Sequence, residues 1–373
     1  MMMEKKSDWF TLSHPEQIDT PALLVYPARA KENIQKALSV VKNPKRLRPH
    51  VKTNKAVEAC QLMMEAGIGA FKCATIAEAE MLVRAGAKDI LLAYQPVGPK
   101  QERWLNLIQS ASGISFSCLV DNYQIASQLS ALGEENNLTF RVYIDLNAGT
   151  NRTGINPGEP AEKLYRDCLH LESLQVLGFH VYDGHLRQLD IEERKKACDE
   201  GYLQIAAVYE RLTAEGHTLE VIAGGSTTFT IHANRPEAIC SPGTFIYWDQ
   251  GYGEGLPEQD FKFAALVMTR VISLPAPGLI CLDLGHKSIA AENPLSNRVT
   301  FLNAENLKPV SQSEEHLVLQ TSENHSYQVG DIFYGIPYHI CPTVALYDHV
   351  STIENTEKTG EWKVLARDKR ITY

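Results

Sequence analysis

Residues 174–223, LQVLGFHVYDGHLRQLDIEERKKACDEGYLQIAAVYERLTAEGHTLEVIA, decide the fold. They read as an apolar β-type run, one long amphipathic helix, and a second short apolar run, with Gly216 where the helix would cap. Two strands joined through a helix run parallel, because antiparallel neighbours need only a short turn. The same alternation extends in both directions. Strand candidates are RLRPHV (46–51), GAFKCA (69–74), DILLAY (89–94), SFSCLV (115–120), TFRVYIDL (139–146) and ICSPGTFI (239–246). Helical patterns such as AVEACQLMMEAG and AEAEMLVRAG lie between them, and Gly67, Gly86 and Gly133 stand with Gly216 as expected C-caps. Eight strands over some 200 residues predict a (β/α)8 barrel. A doubly wound open sheet is the alternative, weakened because no GxGxxG follows the first strand.

Beyond residue 250 the helical period fades. VMTRVISLP, LICLDLG, HLVLQT, DIFYGIP and WKVLARD are short strands between Pro, Gly and Asn turns, which predicts an all-β domain. DTPALLVY (19–26) precedes the first helical pattern, KENIQKALSVV. Lending it to the β-domain leaves eight strands for the barrel. The expected division is a barrel over 27–248, and a β-domain from 1–26 and 249–373.

Composition narrows the function classes. At 373 residues the chain has room for two domains, and its 44% hydrophobic and 22% charged residues are ordinary for a globular protein. The 45 acidic against 36 basic residues leave a net charge of −9, which argues against nucleic acid as a partner. No apolar run of about 18 residues marks a membrane span, and MMMEKKSDW lacks the apolar core of an export signal. Eight scattered cysteines without a CxxC pair suit reduced thiols and a cytoplasmic setting.

Catalytic groups of a barrel belong at the C-terminal ends of its strands. RPHVKTNK (48–55) puts Lys52 there, where a desolvated amine can form a Schiff base. A lone lysine more often reaches solvent, so position alone decides little. DLNAGTNRTG brings Arg152 to the fifth strand end, and HVYDGH brings His180, Tyr182, Asp183 and His185 to the sixth. AGGSTT (223–228) and SPGTF (241–245) follow the seventh and eighth strands, the usual phosphate position. Their glycines let backbone N–H groups converge on an anion, beside Ser226, Thr227 and Thr244 as hydroxyl donors. Empty tight turns are the plainer alternative. In PYHICPT (337–343), His339 and Cys341 are two residues apart, so an extended segment would point both side chains the same way, and an imidazole with a thiolate can hold zinc. As an isolated pair, this spacing is more often coincidence.

Taken together, these residues resemble the metal-activated pyridoxal enzymes of the D-threonine aldolase and D-serine dehydratase family, over nearly the whole chain from DTPALLVY to HICPTVALYDH. The resemblance implies an alanine-racemase-type barrel with a β-domain, pyridoxal 5'-phosphate, and one divalent ion, zinc or manganese. RPHVKTNK is similar to the family's RPHxKTHK, with Asn54 where histidine is common. Lys52 would hold the cofactor, Arg152 would contact the pyridine nitrogen, and Tyr182 would lie beside the ring. Gly224, Gly225, Ser226, Thr227, Gly243 and Thr244 would bind the phosphate. His339 and Cys341 would hold the metal, with Lys52 and His339 the catalytic pair. An arginine that keeps its proton makes the cofactor a weaker electron sink, and a metal on the substrate's β-hydroxyl compensates.

Two signals diverge within the family. His-x-Cys resembles the dehydratase type with zinc, whereas HVYDGH resembles the aldolases, and Leu189 replaces a second tyrosine. The expectation is an aldolase on D-3-hydroxy amino acids, with D-serine dehydratase as the close alternative. A racemase or a non-catalytic pyridoxal-phosphate homeostasis protein ranks lower, since neither explains the metal pair. The resemblance also implies a homodimer acting on a small D-amino acid.

Overall fold

The computed structural model describes residues 8–304 and 306–373. Strand β1 (Ala22–Val25) precedes a parallel sheet of seven strands: β2 (Ala70–Cys73), β3 (Asp89–Leu92), β4 (Ser115–Val120), β5 (Phe140–Leu146), β6 (Leu174–Val181), β7 (Glu220–Ala223) and β8 (Ala238–Cys240), paired in chain order. The segment expected as the first barrel strand, 46–51, is not a strand. It makes single bridges to both sheet edges, Leu47 to Cys240 and His50 to Lys72. Arg48 N–H donates to the Cys240 carbonyl, and Lys72 N–H donates to the Pro49 carbonyl. Pro49 has no N–H to continue a ladder, so the eighth stave is reduced to these bridges. Pro242 likewise stops the last strand at Cys240, leaving SPGTF as loop and one 3-10 turn (Thr244–Ile246).

The remaining strands build a nine-stranded sheet: β9 (Ala265–Ala276), β10 (Leu279–Leu282), β11 (Val299–Phe301), β12 (Lys308–Gln312), β13 (Leu317–Gln320), β14 (Ile332–Pro337), β15 (His349–Glu354) and β16 (Glu357–Lys363), with β1 inserted between β9 and β15. Leu24 pairs with Leu266 on one side and Ser351 on the other. Three of these strands, β11, β12 and β15, have no counterpart among the expected runs. In β15, Ser351 and Thr352 are buried polar residues inside the strand, which hides its apolar signal. WKVLARD is strand only to Lys363, and a 3-10 turn occupies Leu365–Arg367.

The long helix Ile191–Ala214 starts at Asp190, whose carboxylate accepts from the N–H groups of Glu192 and Glu193. Gly216 (φ +95°) and Gly86 (φ +91°) turn the chain out of their helices in the left-handed region. Gly133 does not. It lies inside the helix Tyr123–Asn136, and Asn137 adopts the left-handed C-cap. A Cβ at Gly133 would stand 2.4 Å from the Leu138 carbonyl oxygen, so close approach explains this glycine.

Strand periodicity sorts the barrel's side chains. Phe71, Ile144, Phe179 and Val221 join the core under the helices, while Leu91, Leu119, Tyr143 and Ile222 plug the interior. Two positions beyond Tyr143, the inward side chain is Asp145. Polar groups replace the plug there and open the site.

Candidate active site

One cavity of about 270 Å³ at this end of the barrel is lined by Lys52, Arg152, Tyr182, Gly225, Ser226, Gly243 and Thr244, all from the predicted set. Lys52 lies in the turn after the bridged segment, and its N–H donates to His50 Nδ1 over 3.2 Å. Three basic side chains surround the Tyr182 ring: Arg152 Cζ at 4.8 Å, Lys52 Nζ at 5.9 Å and Lys72 Nζ at 6.0 Å from its centre. A chain with a net charge of −9 thus carries a cationic cavity, suited to an anionic ligand.

The two glycine loops meet. Thr244 N–H donates to Ser226 Oγ (3.3 Å), and Gly224 N–H donates to the Val181 carbonyl (3.0 Å). A Cβ at Gly225 would stand 2.8 Å from Tyr182 Cε2, and one at Gly243 would stand 2.9 Å from the His50 carbonyl oxygen. Thr227 Oγ1 is buried without a protein partner. A backbone cradle with an amine on the same cavity wall, and an orphaned hydroxyl just beyond it, fits a phosphorylated carbonyl cofactor. Thr227 itself lines the adjoining cavity, of about 300 Å³, with His339, Arg187, Asp249, Glu292 and Tyr252. Tyr252 borders both cavities.

His339 and Cys341 come together, but not on an extended segment. His339 is the extended N-cap residue of the helix Ile340–Val344, and Cys341 lies within its first turn. The same-side argument from strand spacing is therefore corrected. Thr53 and Thr244 place their hydroxyls 3.1 and 3.6 Å from Cys341 Sγ. Burial pushes the Cys341 thiol up, yet the His339 hydrogen bond and the Lys52 charge outweigh it and bring the thiol below its ordinary value. Burial lowers His339, but Cys341 and Glu292 reverse this and raise it to about 9. Glu292 Oε1 holds His339 Nδ1 at 2.5 Å, and an ion held by this pair would replace the proton that the imidazole and the Cys341 thiol share. An imidazole and an ionisable thiol suit a borderline-soft divalent cation with open positions.

The remaining residues of HVYDGH diverge. His180 is buried and paired with Asp145 across 2.7 Å. Asp183 turns beneath the first glycine loop, where it accepts from Thr228 Oγ1 (2.5 Å), His232 Nε2 (2.8 Å) and Cys198 Sγ (3.4 Å). Among the described residues, Asp183, Cys198 and His232 are the one group of three metal-type donors close together. Arg235 occupies His232 Nδ1 at 2.6 Å and also donates to Cys198, so a fixed cation adjoins a set already saturated by hydrogen bonds. The group anchors the loop. His185 and Leu189 are exposed.

Sequence reading missed Lys72, Asp145, Tyr252, Asp249 and Glu292. A charged residue inside an apolar strand was the available signal for Lys72 in GAFKCA and Asp145 in TFRVYIDL. Asp249 accepts from the N–H groups of Tyr252 and Ile340, fixing the helix that carries Cys341, and burial raises its carboxyl to about 6. Glu292 reaches His339 across 47 positions, which no local pattern reveals.

A family model described as alanine racemase, N-terminal domain, matches residues 25–250, and a second, described as putative serine dehydratase domain, matches 264–353. A 3-hydroxy-D-aspartate aldolase of Paracoccus denitrificans (strain Pd 1222) is 26% identical over 95% of this chain and 93% of its own. A D-threonine aldolase of an Arthrobacter species is 26% identical over 94% and 93%. The crystal structure of D-threonine aldolase from Filomicrobium marinum superposes with a TM-score of 0.86 at 25% identity, covering 95% of this chain and 97% of that one.

Proposed function

The chain belongs to the family of the alanine racemase N-terminal domain, and from that premise we propose a pyridoxal-phosphate- and divalent-metal-dependent lyase that cleaves D-3-hydroxy amino acids, D-threonine to glycine and acetaldehyde. The observation that carries this reading is the meeting of both halves of the chemistry at one place. Cys341 Sγ, from the β-domain, lies 3.1 Å from Thr53 Oγ1, the residue after Lys52.

In this reading the Lys52 amine is the covalent attachment point, and the Gly224–Thr227 and Gly243–Thr244 loops hold the phosphate through backbone N–H groups. Arg152 faces the pyridine nitrogen and Tyr182 flanks the ring. His339 and Cys341 hold the cation, with Glu292 orienting the imidazole. Bound pyridoxal phosphate would supply the conjugation that accepts the α-carbon's electron pair, and the ion would supply a Lewis acid for the substrate's β-oxygen. Retro-aldol cleavage requires loss of the β-hydroxyl proton, and a cation held by His339 and Cys341 beside the Lys52 turn would assist it. The ligand partner is a small D-amino acid and the assembly a homodimer. Eight free cysteines agree with a reducing, cytoplasmic setting, and no helix among the described residues is long and apolar enough to cross a membrane.

Cys341 and the match to the serine dehydratase domain favour a second reading, D-serine to pyruvate and ammonia. Product identification separates them. Purified protein with pyridoxal phosphate and zinc or manganese is incubated with D-threonine and with D-serine. Glycine plus acetaldehyde supports the aldolase, pyruvate plus ammonia supports the dehydratase, and neither product refutes both.

A further inference from the structure

Lys72 is a charged residue with no role in the chemistry described so far. It projects from β2 into the barrel, 2% exposed, and lines the same cavity as Lys52. Its Nζ lies 3.3 Å from His180 Nε2, and His180 Nδ1 lies 2.7 Å from Asp145 Oδ1. Burial raises the Asp145 carboxyl, but His180, Thr153 and Lys72 outweigh it and leave Asp145 below its ordinary value, so it is ionised at neutral pH. An ionised Asp145 accepts a hydrogen bond from the Nδ1–H of His180. Burial and the Lys72 charge keep the imidazole neutral, which leaves the Nε2 lone pair to accept from Lys72. One N–H of the amine is thereby fixed, on a side chain that lines the cavity.

We propose that Lys72 is a second acid–base group of this cavity, its amine oriented by His180 and Asp145 to exchange a proton with the substrate's α-carbon. The proposal rests on the reading of the cavity as a pyridoxal phosphate site. In one direction the amine's lone pair takes the proton of the Cα–H bond, whose electron pair stays with the substrate carbon in the conjugation that the cofactor supplies. In the other, the ammonium returns a proton to the α-carbon after Cα–Cβ cleavage and becomes a neutral amine. Nothing is oxidised or reduced. Both forms are accessible near neutral pH: burial first, then the charges of Lys52, Arg48 and Arg152 lower the amine to about 7, against the pull of Asp145. His50, the second histidine of the cavity wall, is held neutral by its own burial and by the neighbouring lysines.

Two measurements test this. In cofactor-free protein labelled with 13C at lysine Cε, the Lys72 signal, assigned by its loss in Lys72→Met, titrates with a midpoint near 7. A midpoint near the ordinary lysine value of about 10.4 overturns the proposal. In the holoenzyme in D2O, wild-type protein exchanges an α-hydrogen of glycine, followed by proton NMR. Lys72→Met and Lys72→Arg lower that exchange by ~10²-fold or more while still binding cofactor. Lys72→Gln replaces Lys72→Met if thermal unfolding shows the latter misfolded. Undiminished exchange overturns the proposal. So does a raised KM with an unchanged kcat pH profile, which would make Lys72 a substrate-binding cation. Failure to cleave D-threonine, with lysine titration and glycine exchange both as expected, would count against the aldolase reading and leave this one standing.

Discussion

The Thr53 hydroxyl lies 3.1 Å from Cys341 Sγ, although 288 positions separate the two residues. Thr53 immediately follows Lys52 at the barrel mouth, and Cys341 lies on a short helix that follows β14, so the contact brings the Lys52 turn and the His339–Cys341 segment together.

Lys52→Ala is expected to abolish turnover and the borohydride-reducible link at the peptide containing residue 52, read by mass spectrometry. The loops still contribute phosphate contacts, so some cofactor remains bound. Undiminished activity in the variant would return Lys52 to the role of a solvent-reaching lysine.

Gly225→Val forces a side chain towards the Tyr182 ring, whose Cε2 would be 2.8 Å from the new Cβ. Pyridoxal phosphate should weaken at least ~10-fold more than unphosphorylated pyridoxal, a difference of ~1.4 kcal/mol, measured by equilibrium titration. Equal weakening of both ligands would make these loops ordinary turns.

Chelation is expected to remove turnover while the bound cofactor's absorbance persists, with zinc or manganese restoring the rate. Cys341→Asp should shift preference towards manganese, because a hard carboxylate replaces a soft thiolate. Full activity in metal-free protein would contradict the role of the pair.

Asp183→Asn should lower stability at neutral pH by about 1–3 kcal/mol, since a buried acceptor of three hydrogen bonds loses part of its capacity. Burial raises the Asp183 carboxyl, but His232, Thr228 and Cys198 reverse this and leave it below its ordinary 3.8. A lowered native value places the stabilisation above pH 3.8, and it fades as pH falls through the native value. Urea unfolding at pH 7 and near pH 3 should therefore show the gap between wild type and variant narrowing in acid. A gap independent of pH would refute the assignment.

The barrel was legible because βαβ units repeat a simple alternation, and because strands buried on both faces, such as FRVYIDL, are nearly continuous apolar runs. The closing stave was not, since Pro49 reduces it to two bridges. The residues at strand ends were readable one by one, and Lys52, Arg152, Tyr182, Gly225, Ser226, Gly243 and Thr244 do share a cavity, with Thr227 on the adjoining one. The geometry of His339 and Cys341 was misread because spacing alone does not distinguish a strand from a helix N-terminus. Lys72 and Glu292 act through partners distant in sequence, His180 at 108 positions and His339 at 47, so only the folded chain pairs them.

The most direct measurement is acetaldehyde release from D-threonine and from L-threonine by protein loaded with pyridoxal phosphate and metal, before and after chelation. Release from the D-enantiomer alone, lost on chelation and recovered with zinc or manganese, is the expected result. Absence of acetaldehyde from D-threonine, or release unaffected by chelation, would contradict the account.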